Sequence, residues 1–327
     1  LSVLFCCAVS AQAQNNYLMF DGSNDHVVVN NSDNILASNT AISMTCKVYP
    51  KNPNPGWPAF NGIVGYRNDS NFDFYIIQLS SNSIEARFRN SSGTAYDIAY
   101  SGLTLNAWNH FYMVYNGSTL KLYKDGVEVG SVAASGSAPA SNASTFKIGL
   151  VTYSITNFYH TGYIDEVSLW NKALSAAEIT AIQTNAGEIA NPASETNLKL
   201  YYKFNQGVPN GNNAGVTSLI DEKGLQNGTL TNFSLNGNNS NWGTDDDLST
   251  QIFEGTTVKV YPNPTNDFLN ISGIPNAGKL QIIDSLGRVV GEQSTTESSL
   301  QMNVSQLNTG MYFILLENAQ PIRFIKK

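Results

Sequence analysis

A chain of 327 residues is long enough for about two domains, one of them with a substantial core. Charged residues make up only 13% against 42% hydrophobics, a balance of turn-rich, strand-rich exported proteins more than of helical cytosolic enzymes. A formal net charge of −7 excludes a nucleic-acid partner that needs clustered Lys and Arg.

The opening run "LSVLFCCAVSAQAQ" is apolar, and small residues flank Gln12 in Ala11-Gln12-Ala13. This predicts an incomplete signal peptide over residues 1–13, cleaved after Ala13. The run falls short of the about 20 apolar residues of a bilayer span, so no transmembrane segment is expected here. Phe5 before Cys6 argues against a lipoprotein site. Cleavage leaves Cys46 alone, so no internal disulfide is expected and stability rests on packing or a metal. In "AISMTCKVY" the alternation puts Cys46 on one face with Ile42, Met44 and Val48, as a small buried hydrophobe.

Period-two patterns recur from Tyr17 to about Trp170. In "SIEARFR", Ile84, Ala86 and Phe88 point one way, and Glu85, Arg87 and Arg89 the other. In "WNHFYMVYNGSTLKLYKDGVEVGSV", Asn116-Gly117 and Asp125-Gly126 mark tight turns, predicting a three-stranded meander. Many short strands between Gly, Asn and Pro turns predict an all-β, two-sheet antiparallel jelly-roll sandwich. One short helix is expected in "WNKALSAAEITAIQ", where Ser175 and Glu178 form a capping box.

Three segments in this order, "YLMFDGSNDHVVV", "AWNHFYMVYNGSTLKLYKDGVEV" and "GYIDEVSLWNKALSAAEI", carry a resemblance. Residues 15–190 resemble a LamG-like jelly roll of the concanavalin A-like lectin/glucanase superfamily. The resemblance implies two curved antiparallel sheets, a recognition module, and often a structural calcium ion. Residues 191–242 include "LYYKFNQG", which echoes "NYLMFDGS". They read either as strands appended to the jelly roll or as a partial second module. The appendage is favoured, because about fifty Gly- and Asn-rich residues bury little core alone.

Residues 243–257 read as a polar, acidic linker. A new strand-rich segment then begins at "VKVYPNPTNDFLNIS", continues through "DSLGR" and "LNTGMYFILL", and ends on "IKK". Pro262 and Pro264 cannot donate ladder hydrogen bonds and suit an entry or edge segment. Residues 258–327 resemble a type A C-terminal sorting domain of the type IX (Por) secretion system, a small immunoglobulin-like β-sandwich. The resemblance rests on Tyr261, Pro262, Asn263, Pro264, Gly287, Gly310, Tyr312, Lys326 and Lys327. It implies passage through the periplasm to secretion or the outer cell surface, with the type IX machinery as partner.

The superfamily includes glucanases, whose chemistry needs two carboxylates flanking the glycosidic bond. No E-x-D-x-x-E run occurs, and the adjacent acids of "IDEV" are expected on opposite strand faces. H-E-x-x-H, G-x-S-x-G and a P-loop are missing from the sequence, and His26, His110 and His160 carry no triad signature. No catalytic residues are therefore assigned. The expectation is a non-catalytic recognition or adhesion protein binding a glycan or a surface protein. A glycoside hydrolase or an accessory carbohydrate-binding module is the alternative.

Sugar binding needs rings on loops. Trp57 in "NPNPGWPAF" leads the ligand-binding candidates, with Tyr66, Tyr153, Phe158 and Tyr159 behind it. Each also fits as a core residue or, for Trp57, a loop anchor. A structural calcium ion is expected near Asp21, Gly22, Asp25 and Asp165. Alternation in "GYIDEVSLW" places Asp165 with Tyr163, Val167 and Leu169 on the apolar side, where an unpaired carboxylate costs several kcal/mol. It therefore needs either a basic partner such as Arg89 or a hard cation, and "FDGSND" supplies oxygen ligands of the type calcium takes.

Overall fold

The computed structural model describes residues 15–67, 72–140, 144–244, 258–274, 278–284, 288–316 and 322–327. The leader at 1–13, most of the 243–257 linker and Gly287 of the sorting motif lie outside them. The chain divides into two compact units, Leu1–Asp246 and Asp247–Lys327.

The first unit is a sandwich of two antiparallel sheets, with strands numbered along the chain. Across the first sheet run β10 (Val127–Ala133), β9 (Thr119–Lys124), β8 (Asn109–Tyr115), β3 (Ile42–Pro50), β14 (Thr161–Trp170), β1 (Asn16–Asp21) and β18 (Trp242–Thr244). β15 (Leu198–Tyr202) also pairs with β14. Across the second run β16 (Ser218–Leu219), β17 (Gly228–Thr231), β2 (His26–Val29), β11 (Phe146–Ile148), β4 (Asn61–Arg67), β5 (Asp73–Gln78), β6 (Ser83–Arg89) and β7 (Ala95–Ser101). A hairpin of β12 (Leu150–Tyr153) and β13 (Thr156–Tyr159) stands apart from both. Residues 198–244 thus contribute strands to both sheets, and Trp242 is buried with its indole N–H donating to the Phe204 carbonyl.

Alternation builds this core. In β3, Ile42, Met44, Cys46 and Val48 are fully buried between the sheets. Each large apolar side chain so buried contributes about 1.5–3 kcal/mol. Burial pushes the Cys46 thiol above its ordinary range, so it is a packing residue and no nucleophile. The meander turns form as their residues demand: Asp125 and Gly126 both take positive φ, and Val127 pairs with Lys124 across the two-residue loop.

β14 breaks strict alternation. Its register against β3 shifts between Asp165 and Ser168, where Glu166 adopts φ 50°. Ile164, Val167 and Leu169 therefore face the core, while Asp165 sits opposite Lys47 on the outer face. Two sequence expectations change. Asp165 does not share the face of Val167 and Leu169, and Asp165 and Glu166 do not point to opposite faces. The bulge turns both acids outward: Asp165 pairs with Lys47 at 3.5 Å, and Glu166 accepts from the Tyr201 hydroxyl.

That outer face is covered by α1 (Ala176–Thr184), whose capping box at Ser175 and Glu178 is formed. Ile179 and Ile182 pack there with Tyr112, Trp170 and Tyr201. The second unit has sheets β19 (Lys259–Tyr261), β20 (Phe268–Ser272), β23 (Ser299–Asn303) and β22 (Val289–Thr295), β21 (Gly278–Asp284), β24 (Gly310–Leu316), β25 (Ile322–Lys326). Its own core contains Leu269, Ile271, Leu280, Ile282, Ile314 and Phe324. Among the described residues no helix is long and apolar enough to cross a membrane.

Candidate functional site

On the outer face of the second sheet the β12–β13 hairpin folds over β4. Gly62 permits this approach, since a Cβ there would lie 2.3 Å from the Phe158 carbonyl oxygen and 2.5 Å from the Val151 nitrogen. Alternation in β5 sends Phe74 and Ile76 to the core and leaves Tyr75 and Ile77 beneath the hairpin with Val151 and Phe158.

The result is a groove of about 280 Å³, lined by the rings of Trp57, Tyr153 and Phe158 and by Arg67, Tyr75, Glu85 and Arg87. Trp57 is 63% exposed and Tyr153 42%, unusual for large rings in one patch. The edge contacts of Trp57 with Tyr153 at 6.0 Å and Phe158 at 6.1 Å hold the indole while leaving most of it to solvent.

The polar side is a chain of hydrogen bonds. Arg67 Nη1 donates to the Tyr75 hydroxyl at 2.5 Å, which donates to Glu85 Oε1 at 2.7 Å. Arg87 lies 3.6 Å from Glu85 and donates twice to Asp97, at 2.5 and 3.0 Å. Burial, and then the Glu85 charge, push the Tyr75 phenol well above its ordinary range, so it stays a protonated donor. Rings for stacking beside guanidinium donors suit a saccharide.

Of the predicted ligand residues, Trp57, Tyr153 and Phe158 meet here. Tyr66 does not: it is a core side chain, its hydroxyl donating to the Ser32 carbonyl at 2.8 Å. Tyr159 packs near His26 at 5.9 Å, outside the groove lining. Arg67, Tyr75, Glu85 and Arg87 were missed as site residues, although the outward face of "SIEARFR" carries the last pair of them.

The expected calcium set is split. Asp21 pairs with Thr161, four positions along β14 from Asp165, about 13 Å away, so one ion cannot hold both. Asp165 has Lys47 as its partner, whereas Arg89 pairs with Asp73 at 2.8 Å. Asp21 and Asp25 remain together: the Asp21 N–H donates to Asp25 Oδ2 at 3.1 Å, and buried Asp25 Oδ1 has no hydrogen-bond partner. Burial raises the Asp25 carboxyl to about 6, with the nearby Asp21 charge adding to it. The two acids supply oxygens of the kind a hard cation takes, but among the described residues no three His, Cys, Asp or Glu side chains cluster there.

The buried imidazoles His110 and His160 are held neutral, lowered to about 3 by burial, and neither lines the groove. The Asp165–Glu166 pair is equally buried, at 0% and 1% exposure, which closes it to a polymer substrate.

In the second unit, the entry motif and the C-terminus meet. Asn263 Oδ1 accepts from the Ile325 N–H at 3.0 Å, and its Nδ2 donates to the Arg323 carbonyl at 3.1 Å. Gly310 pairs with Lys326 in the ladder, Tyr312 donates to the Asn308 carbonyl, and the Lys327 N–H donates to Thr265. The exposed Tyr261 and Pro262–Pro264 segment is thus tied to the final strand.

Residues 21–180 match the concanavalin A-like lectin/glucanases superfamily, and residues 259–327 match the secretion system C-terminal sorting domain. The ulvan lyase NLR42 of Nonlabens ulvanivorans is 38% identical over 138 residues, which are 41% of this chain and 22% of that enzyme. The chain therefore spans less than a quarter of that relative's length. A putative carbohydrate binding protein from Bacteroides ovatus superposes with a TM-score of 0.50 at 19% identity, over 67% of this chain and 59% of that one. A pentraxin from Limulus polyphemus gives a TM-score of 0.42 at 14% identity, over 53% and 84%. Residues 21–180 are thus similar to the concanavalin A-like lectin/glucanases superfamily, and the secretion system C-terminal sorting domain matched at 259–327 indicates export to the outer surface or the medium.

Proposed function

We propose that this exported protein recognises glycan without cleaving it, and that the ligand lies in the groove beside Trp57 and Tyr153. The observation that carries this reading is the exposure of Trp57, packed against the rings of Phe60, Tyr153 and Phe158 in a groove that Arg67, Tyr75 and Arg87 also line. A glycan array probed with the full chain and with Trp57→Ala tests it. Capture that weakens with the variant supports a lectin. Binding to a purified surface protein but to no glycan supports adhesion instead.

A catalytic reading draws on the ulvan lyase relative, whose matched stretch is 22% of that enzyme. Against it, the phenol in the groove is held protonated, and the buried histidines and paired acids lie elsewhere. Depolymerisation of a polysaccharide by the purified chain, lost on changing one groove residue, would establish catalysis.

For export, the sorting domain would engage the type IX machinery through the Tyr261–Pro264 segment and the last strand. For stability, Asp21 and Asp25 would hold a calcium ion. That ion would neutralise two adjacent carboxylates at the turn between β1 and β2, with Asp165 taking no part.

A further inference from the structure

We propose that Lys47 and Asp165 condense to an intramolecular amide that cross-links strand β3 to strand β14, with Glu166 as the proton carrier. The two residues lie directly opposite each other in the ladder, and Lys47 Nζ is 3.5 Å from Asp165 Oδ2. Their side chains are 14% and 0% exposed. A buried ion pair loses much of its attraction to desolvation, whereas an amide between the same two side chains carries no charge.

The neighbours hold the reacting groups in place. The Glu166 N–H donates to Asp165 Oδ1 at 2.9 Å, which fixes the carboxyl and stabilises negative charge on that oxygen. Lys47 Nζ also donates to the Ala186 carbonyl at 3.3 Å and lies 5.4 Å from the Trp108 ring centroid. Gly187 closes over the lysine stem, since a Cβ there would lie 2.8 Å from Lys47 Cδ. The second acid supplies the proton. Glu166 Oε2 accepts from Tyr201, while its buried Oε1 has no hydrogen-bond partner among the described residues and is free to carry one. Burial first, and then the Asp165 charge, raise this carboxyl well above the usual range and keep it protonated.

The step balances without a co-reactant. Proton transfer inside the ion pair leaves a neutral amine facing a carboxylic acid. The Lys47 nitrogen attacks Asp165 and forms the Nζ–Cγ bond, with the developing oxyanion on Oδ1. Glu166 passes its proton to the Oδ2 hydroxyl, the Cγ–Oδ2 bond breaks, and water leaves. Glu166 then recovers a proton from the nitrogen. The amide joins residues 118 positions apart, a link that the free Cys46 does not provide.

The test is mass spectrometry of the purified full chain, intact and after protease digestion. Wild type, Lys47→Arg, Asp165→Asn and Glu166→Gln are compared after melting curves confirm that each is folded. Wild type should be lighter than its sequence mass by one water, and its digest should hold one species joining the Lys47 and Asp165 peptides. Lys47→Arg should keep its full mass and melt lower by about 10 °C or more, because the cross-link constrains the unfolded chain. Asp165→Asn should lose one ammonia in place of one water, since the bond that breaks is then to nitrogen. Glu166→Gln keeps a donor beside Asp165 but no proton to pass on. It should reach the same bond about a hundredfold more slowly, followed from synthesis in a cell-free reaction. A wild type of full mass with no joined peptide overturns the proposal. So does a loss of water that persists in Lys47→Arg, which would mark a cyclic imide at an Asp-Gly pair such as Asp125-Gly126.

Discussion

The Arg67 guanidinium lies 4.6 Å from the centre of the Tyr153 ring, although the two residues are 86 positions apart in sequence. The contact exists because β12 and β13 fold back over β4 at Gly62. Any side chain at Gly62 meets backbone at under 3 Å, so the hairpin has to shift.

Gly62→Ala should therefore lower glycan affinity while the sandwich core, on the other face of the sheet, stays folded. Far-ultraviolet circular dichroism would be unchanged and groove binding reduced at least about tenfold. Full affinity in a folded Gly62→Ala protein would mean that the hairpin does not form the groove wall.

The Glu166 carboxyl is raised well above the usual carboxylate range, by burial first and then by the charge of Asp165. A raised carboxyl favours the folded state while protonated. That advantage is complete below the unfolded value, near 4.5, and is lost as pH climbs through the folded value. Glu166→Gln keeps an acceptor for Tyr201 without the titration, so it should melt higher than wild type at pH about 8. Glu166→Ala leaves the Tyr201 hydroxyl accepting from the Ile189 N–H but without its own acceptor, and should cost about 1–3 kcal/mol. Equal pH profiles for wild type and Glu166→Gln would show that the carboxyl does not titrate in this way.

His110 and His160 act in the opposite sense. Burial lowers both to about 3 from 6.5, so the unfolded chain takes up protons that the folded one refuses. Stability is complete above pH 6.5 and falls as the pH drops from there towards 3, by up to about 1.4 kcal/mol per pH unit for each imidazole. Replacing His110 by Gln should flatten the acid limb of a plot of Tm against pH. An acid limb of unchanged slope contradicts the assignment.

Much of this was legible from alternation and turns. Ile42, Met44, Cys46 and Val48 read as one core face, and Asp125-Gly126 as a hairpin, because both signals are local. The bulge at Glu166 was not. A glutamate at positive φ leaves no sequence mark, and it turned Val167 inward and both acids outward. Half of the groove was visible through its rings. Tyr66 misled because it lies on the core face of β4, and Arg67 and Tyr75 join the site only through the folded-back hairpin.

Calcium removal is a further test. Melting with EDTA should lower Tm if an ion neutralises Asp21 and Asp25, and Asp25→Asn should abolish the response to added calcium. An unchanged midpoint would leave Asp25 as a protonated acid in a metal-free turn.

Export is tested by deletion. The second unit has its own core, so removing residues 258–327 should leave a folded first unit held in the periplasm. Asn263→Ala removes two hydrogen bonds to the last strand and should destabilise the sorting domain by about 1–2 kcal/mol. A deletion protein that reached the medium at the normal level would contradict the sorting assignment.

Trp57 reports on the groove directly. It is 63% exposed, whereas Trp108 is half-buried and Trp170 and Trp242 are buried, so a ligand there should shift its emission. The most direct measurement is tryptophan emission during titration of the full chain with a glycan that the array shows to bind. A saturable blue shift or quench that disappears in Trp57→Phe is the predicted result. Calorimetric binding of that glycan with the emission of Trp57 unchanged would place the ligand elsewhere and contradict the account.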